Sequence, residues 1–502
     1  MIRSMRYSLH LLILAALVAA QPGCARKAPI PLASSRAARP VELLRADLDG
    51  LFTDPKFDRA QLGVLVFSLD RAEVIYERNA RGLFIPASCN KLITAAVALL
   101  RLGPGFRFQT HILMDGQVEE GILTGDLVIV GSGDPSNSPP FQSGDPFATF
   151  RSWAATLKEK DIQAIAGDII GVNGAVGEPG LGLGWEWNDL VQSYAAPVSA
   201  LQFNGNAALL EITPGNEGGS PASIQAAPLK SYLKIINRTT TLFGQSPADI
   251  RIAFVDSDEA VEVSGTVPLK GPPVTSMVSV RRPALYYIAA LHAVLSMEGI
   301  HTGMCGIRTV EAHDSAASSL LWSHASPGLS EIIKPLMKNS LNLSAESLVR
   351  ALGLQLRGEG TFAKGKEIVE ETLDGMGVAR GSYSYADGSG LSRLNLVSAD
   401  ALVRLLRFMY RDPGFQYFYD ALPVAGVDGT LSERMKGTKA ENNVRAKTGT
   451  LTAASGLAGF LRTSDGEMLA FAIGVNNFLG PKGPVESMQD LALERLAAFS
   501  RK

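Results

Sequence analysis

Residues 84–102 read FIPASCNKLITAAVALLRL, and Gly103-Pro104-Gly105 follows. The segment FIPA leads into a helix. From Leu92 to Leu102 the residues are strong helix formers with apolar spacing, and the Gly-Pro-Gly ends the run. Just upstream, residues 61–68 (QLGVLVFS) and 73–77 (EVIYE) read as two strands around a turn at Asp70-Arg71. At the other end of the chain, Val444–Thr450 and Leu457–Thr463 read as strands. Asp465-Gly466 is a hairpin turn, Glu467–Val475 its return strand, and residues 484–499 an amphipathic helix. Helices dominate from Gly328 to Gly377 and again over residues 398–410, where Ser398 is positioned as N-cap. Strands at both ends with helices between predict one α/β (α+β) domain whose sheet is completed by both termini.

The segment after the first helix changes character. Short alternating strands recur between turn signals, as in ILTGDLVIVGSGDPS (122–136), YLKIINRTTT (232–241) and VEVSGTV (261–267). Helical periodicity returns near residues 285–300. The expected organisation is a discontinuous domain of residues 45–110 and 290–502, with residues 111–289 as one or more β-rich inserted domains. No internal repeat of fixed period is present.

Composition sets broad limits. The chain has 502 residues, 46% hydrophobic and 19% charged, with a formal net charge of −2. No Lys/Arg cluster offers a nucleic-acid face. Six histidines form no His-x-x-x-His pattern, the three cysteines form no Cys-x-x-Cys, and no phosphate-binding glycine loop occurs. No metal or cofactor is therefore expected.

The N-terminus reads as an export signal. Arg3 and Arg6 precede a short apolar core, Leu11–Ala20, which falls below the roughly 20 residues that span a bilayer. Two outcomes fit residues 1–24: cleavage after Ala20, or lipidation of Cys24 at the end of a lipoprotein signal. Gln21 stands where such signals usually carry an aliphatic residue. Residues 25–44 read as a flexible tether. The expected location is the periplasm, with membrane attachment only through a lipidated Cys24.

Chemistry enters at Ser88-Cys89-Asn90-Lys91. A serine hydroxyl is a poor nucleophile until a base takes its proton. A lysine three residues later on a helix lies on the same face, one turn away. Once desolvated, its amine favours the neutral, basic form. A second Ser-x-x-Lys, Ser231 to Lys234, falls in strand-like sequence, where residues i and i+3 face opposite sides, so it is rejected. Two further elements follow: Ser340-Leu341-Asn342, and Lys447-Thr448-Gly449-Thr450, the one Lys-Thr-Gly of the chain. On an edge strand, the latter offers a cation and a hydroxyl to a substrate carboxylate, and its glycine permits close backbone approach.

Ser-x-x-Lys, Ser-x-Asn and Lys-Thr-Gly in this order mark penicillin-binding proteins and serine β-lactamases. The separation of 252 positions from Ser88 to Ser340 leaves room for a large insertion. In this the chain resembles the class C, low-molecular-mass penicillin-binding proteins, the D-Ala-D-Ala carboxypeptidase/endopeptidase family. Similar segments include Trp185-Glu186-Trp187-Asn188-Asp189, Tyr194-Ala195-Ala196-Pro197, Ala386–Arg393 and Asp428-Gly429-Thr430-Leu431. The resemblance runs from about residue 45 to 498.

The resemblance implies a penicillin-binding-protein/β-lactamase-like transpeptidase domain. It also implies action on peptidoglycan stem peptides and cross-links through a Ser88 acyl-enzyme, with β-lactams as covalent inhibitors. Lys91 would take the serine proton, Ser340 would relay a proton to the leaving amine, and Asn342 would orient Lys91 and substrate. Lys447 would supply positive potential near Ser340, Thr448 would bind the terminal carboxylate, and the amides of Ser88 and Thr450 would form the oxyanion hole. Arg393 and Thr452 are expected at the cleft.

Three positions depart from the family pattern. Leu341 replaces a polar residue, Cys89 sits beside the nucleophile, and Asn173 stands where an acid is expected to meet an amino group of the substrate. Two other readings share the motifs: a non-catalytic peptidoglycan-binding protein and a β-lactamase-like hydrolase.

Overall fold

The computed structural model describes residues 35–177, 180–244, 246–255, 260–303, 305–314 and 318–502. The signal segment 1–24 with Cys24, and tether residues 25–34, lie outside the described residues. Residues 35–44 were expected in the tether as well. They instead open a helix, Ser35–Phe52, because Leu44, Leu48 and Phe52 repeat every four residues and are all buried.

Both chain ends build one five-stranded antiparallel sheet. Its order is Arg445–Leu451, Ala454–Arg462, Met468–Asn476, Gln61–Ser68, Glu73–Arg78. The ends meet in unbroken register, from Gln61 opposite Asn476 to Ser68 opposite Leu469. Its inner strands are buried on successive residues, without polar alternation. The cause is a helical layer on each face. One face carries the helices Ser35–Phe52 and Gly483–Ala498 through Leu44, Leu48, Met488 and Leu493. The other face carries the helix Lys91–Leu102, buried at every residue from Lys91 to Leu99. Around that central helix pack Leu329–Lys338, Asn342–Arg357, Phe362–Gly375 and Ala399–Arg411. Ser398 caps the last of these by accepting a hydrogen bond from the Ala401 amide.

The inserted unit runs from Gln109 to Ala325, further than residues 111–289. A six-stranded sheet and two three-stranded sheets share one core with the helices Ala148–Glu159 and Pro283–Met297. Tyr286, Tyr287, Ile288 and Leu291 of the second helix are buried in that core. The strand Ser319–Ala325 pairs with Gln109–Glu119 and closes the unit. The chain returns to the first core only at Leu329. Periodicity announces the helix near residue 290, but it cannot say which sheet the helix will cover. Among the described residues, no helix is long and apolar enough to cross a membrane.

Leu291, fully buried, tests this boundary. Leu291→Ala is expected to cost about 2–5 kcal/mol in denaturant unfolding. Hydrogen-exchange protection should fall in the strands Gln109–Glu119 and Ile122–Val130, and stay unchanged in Ala454–Arg462 and Met468–Asn476.

Candidate active site

Ser88 lies in a single 3-10 turn, Ala87–Asn90, that runs straight into the helix Lys91–Leu102. The turn is tightly held. Ala87 takes a left-handed conformation at φ 46°, which costs a non-glycine residue roughly 1–2 kcal/mol. Glycines on three sides make room for it. A Cβ on Gly390 would stand 1.8 Å from the Ala87 carbonyl oxygen, and one on Gly449 would stand 2.3 Å from that of Pro86 and 3.0 Å from the Ser88 amide nitrogen. A Cβ on Gly456 would stand 2.9 Å from Cys89 Sγ. Gly449 therefore serves the nucleophile's own turn. Close approach of substrate was the expected reason, and packing supplies a stronger one.

Lys91 is wholly buried, and its amine has three neighbours at hydrogen-bond distance. Nζ lies 2.9 Å from Ser88 Oγ, 2.6 Å from Asn342 Oδ1 and 2.7 Å from the Ser389 carbonyl oxygen. All three oxygens can accept from Nζ, and once neutral the amine can still donate to the two carbonyl-type oxygens while accepting from the serine hydroxyl. Burial, and then the Lys447 charge, hold Lys91 well below the usual lysine range, although Asp387 and Glu346 pull the other way. Cys89 beside it donates to the Lys447 carbonyl at 3.3 Å, and burial pushes its thiol up to about 12. It stays neutral, a buried packing residue.

Asn342 opens the helix Asn342–Arg357 and spans two units. Its Oδ1 faces Lys91, while Nδ2 donates to the Tyr194 carbonyl of the inserted unit at 2.8 Å. Ser340, two residues earlier, has φ 59° and ends the helix Leu329–Lys338. The Leu341 amide donates back to the Leu336 carbonyl at 3.0 Å, the six-to-one bond that accompanies a left-handed helix end. Leu341 lines a neighbouring cavity of about 320 Å³ together with Pro135, Pro139, Met277 and Leu343. Its side chain faces the inserted unit, which is where an apolar residue belongs.

Lys447 lies on the edge strand Arg445–Leu451 and is wholly buried. Its Nζ donates to the Thr448 carbonyl at 2.8 Å, and burial brings it down to about 8. Its charge is felt by Lys91, which places it beside the nucleophile's base. Thr448 Oγ1 donates to Thr430 Oγ1 at 2.7 Å, and Asp428, two residues before Thr430, pairs with Lys338 at 2.6 Å. The Asp428–Leu431 turn thus ties the strand to the last residue of the helix that leads into Ser340.

A cleft of about 460 Å³ brings Ser88, Ser340, Asn342, Arg393, Thr450 and Thr452 together. Arg393 bridges the two units: Nε donates to Glu186 Oε1 at 2.8 Å, and Nη2 to the Thr452 carbonyl at 2.8 Å. The rejected Ser231–Lys234 pair lies away from the cleft, where Lys234 begins a strand of the inserted unit.

The sequence reading assigned no role to Glu186, Asp189 and Tyr194, which also line the cleft. Their signal was present as acids and aromatics in a polar, Gly-rich loop. Trp185 of that loop donates to Asp387 Oδ2 at 2.9 Å. Asn173 has another task. Its Oδ1 accepts from Ser199 Oγ at 2.7 Å and from the Ala200 amide at 3.0 Å, and it does not line the cleft. Among the described residues, the carboxylates that line the cleft are Glu186 and Asp189.

The D-Ala-D-Ala carboxypeptidase 3 (S13) family matches residues 44–497. A D-alanyl-D-alanine carboxypeptidase of Actinomadura sp. (strain R39) is 35% identical over 482 residues, covering 93% of this chain and 87% of the relative. The crystal structure of penicillin-binding protein 4 from Haemophilus influenzae superposes with a TM-score of 0.79 at 26% identity, covering 90% of this chain and 99% of that one. The same Haemophilus protein complexed with a β-lactam gives a TM-score of 0.72 at 25% identity, covering 89% and 98%. The Ser88–Lys91–Asn342 cluster around a buried lysine, the edge-strand Lys-Thr-Gly and these similarities lead to one assignment: the chain belongs to the D-Ala-D-Ala carboxypeptidase 3 (S13) family of penicillin-binding serine peptidases.

Proposed function

We propose that this carboxypeptidase works through a Ser88 ester, with Lys91 as base. The observation that carries the reading is the 2.9 Å contact between Ser88 Oγ and a wholly buried lysine amine. At pH 7 a lysine with the ordinary value of 10.5 is neutral in roughly one molecule in 3,000. A desolvated lysine removes most of that handicap.

In the proposed sequence the substrate lies along the edge strand. Ser88 Oγ attacks the carbonyl carbon of the penultimate D-alanine, while its proton passes to Lys91 Nζ. The Ser88 and Thr450 amides hold the resulting oxyanion, an interaction typically worth about 3–4 kcal/mol. Ser340 delivers a proton to the leaving amine, Thr448 receives the terminal carboxylate, and Lys447 supplies positive potential. Water then hydrolyses the ester. A β-lactam acylates the same serine.

Specificity comes from the inserted unit. Glu186 is paired with Arg393, whereas Asp189 accepts from Tyr194 Oη at 2.8 Å and has no cationic partner among the described residues. An unpaired carboxylate in the cleft suits a stem peptide that carries a free amino group, and the same feature suits a cross-link cut in the endopeptidase mode. The enzyme is further proposed to be exported to the periplasm, with its mature end at Gln21 or at a lipidated Cys24.

Intact-mass spectrometry with benzylpenicillin tests the ester. One added antibiotic should map to the Ser88 peptide, and Ser88→Ala should abolish it without lowering the melting temperature. An adduct that survives in Ser88→Ala would overturn the assignment.

The pH profile tests the base. Lys91 is lowered, so the neutral fraction, and with it the acylation rate, should rise as pH increases through a point well below 10.5. A limb at the ordinary lysine value would reject Lys91. Finally, Asp189→Asn should raise KM about tenfold for peptides with a free side-chain amine and leave acetylated peptides unchanged, the loss expected for one charge-assisted contact. An equal effect on both peptides would reject the specificity role.

A further inference from the structure

The face of the helix Asn342–Arg357 that begins at the active site continues inward. Asn342, Glu346 and Arg350 recur every four residues, so they line one stripe. Glu346 is 1% exposed and Arg350 is 2% exposed. Glu346 Oε1 accepts from the Ser389 amide at 2.8 Å, and the Ser389 carbonyl accepts from Lys91 Nζ at 2.7 Å. Carboxylate and lysine thus grip the two polar ends of the residue between them.

Arg350 approaches Glu346 only loosely, at 3.4 Å, and its own Nε is buried without a hydrogen-bond partner. A pair built for stability alone would close this contact, because a buried ion pair repays its desolvation only with good geometry. The better bond of Glu346 goes to Ser389, toward the lysine.

We propose that Glu346 is a positioning residue for Lys91. Through Ser389 it fixes the carbonyl that the amine uses, and its negative charge favours the ammonium formed when Lys91 takes the Ser88 proton. In that step the Oγ–H bond of Ser88 breaks, an N–H bond forms at Nζ, and the oxygen's electron pair bonds to the substrate carbonyl carbon. The proposal rests on Lys91 acting as the base.

The charged and titratable groups around Lys91 come from every element packed on it. Lys447 faces it from the edge strand and Cys89 from its own turn. Asp387 faces it from the 386–392 turn, and Glu346 from the helix, with Arg350 behind. Tyr385, just before that turn, feels both carboxylates and hydrogen-bonds Thr94 at 2.7 Å. Asp387 is already committed to four donors: the Gly390 and Ser392 amides at 2.6 Å, Asn395 at 2.8 Å and Trp185 at 2.9 Å. Glu346 is the carboxylate linked to the lysine through one residue. Burial, and then Asp387, push its carboxyl up, whereas Arg350 and the Ser389 amide pull it back. Its charge is therefore responsive to its surroundings.

The test follows the rate of Ser88 penicilloylation from pH 5 to 10 in wild type, Glu346→Gln and Glu346→Asp, with melting temperatures as the check on folding. Gln keeps an acceptor for the Ser389 amide and removes the charge. The Lys91 limb should move to lower pH by about half a unit or more, because the ammonium has lost a stabilising anion. The plateau should fall about two- to threefold, since an amine half a unit less basic is a slightly weaker general base. Asp retains the charge but withdraws it by one methylene, so its limb should move the same way by less. It carries the test if Gln does not fold.

A folded variant whose limb stays at the wild-type position, however slow or unstable, overturns the proposal. Absence of Ser88 labelling in wild type would instead overturn the acyl-enzyme reading itself. The two failures are thereby distinguished.

Discussion

A lysine amine held without water organises this molecule. Removing an ammonium from solvent is costly, and a buried lysine adapts by giving up its proton. Here burial acts together with a second buried lysine, Lys447, and the two outweigh the opposing carboxylates Asp387 and Glu346. The helix Lys91–Leu102 must therefore be apolar from its first turn, with every residue through Leu99 buried. The same burial requires that the amine's hydrogen bonds be satisfied from outside its own helix. They come from Asn342 and Ser389, which lie 251 and 298 residues away.

Close packing is the second constraint. The nucleophile turn sits directly on the sheet, and the gap between them has no space for side chains. Gly449, Gly456 and Gly390 meet that turn from three directions. A tight turn with Ala87 in a left-handed conformation is maintained because the surroundings leave it no alternative. Rigidity of this kind keeps a serine oxygen within reach of its base before substrate arrives.

The inserted unit is part of the site and not an appendage. Asn342 is held by the Tyr194 carbonyl, Asp387 by Trp185, and Arg393 by Glu186. Each link joins a residue of the inserted unit to a residue of the sheet-and-helix domain. Loss of the insertion would leave Asn342 with one amide group unpaired and would open the cleft wall that carries Asp189.

Some of this was legible in residue order alone. The helix after Ser88 announces itself through apolar spacing and a Gly-Pro-Gly stop, and the C-terminal hairpin through Asp465-Gly466. Local periodicity depends on neighbours a few residues apart, so a sequence displays it. The same holds for Ser-x-x-Lys, whose two groups share one helical turn. Tertiary structure decided the remainder. It gave the helix Pro283–Met297 to the inserted core, turned Leu341 away from the cleft, and gave Asn173 to the Ser199 hydroxyl and the Ala200 amide. It also placed Asp189 in the cleft and Glu346 behind Lys91. These outcomes depend on which surfaces meet and which buried groups find partners across hundreds of residues, and no pattern of near neighbours encodes that.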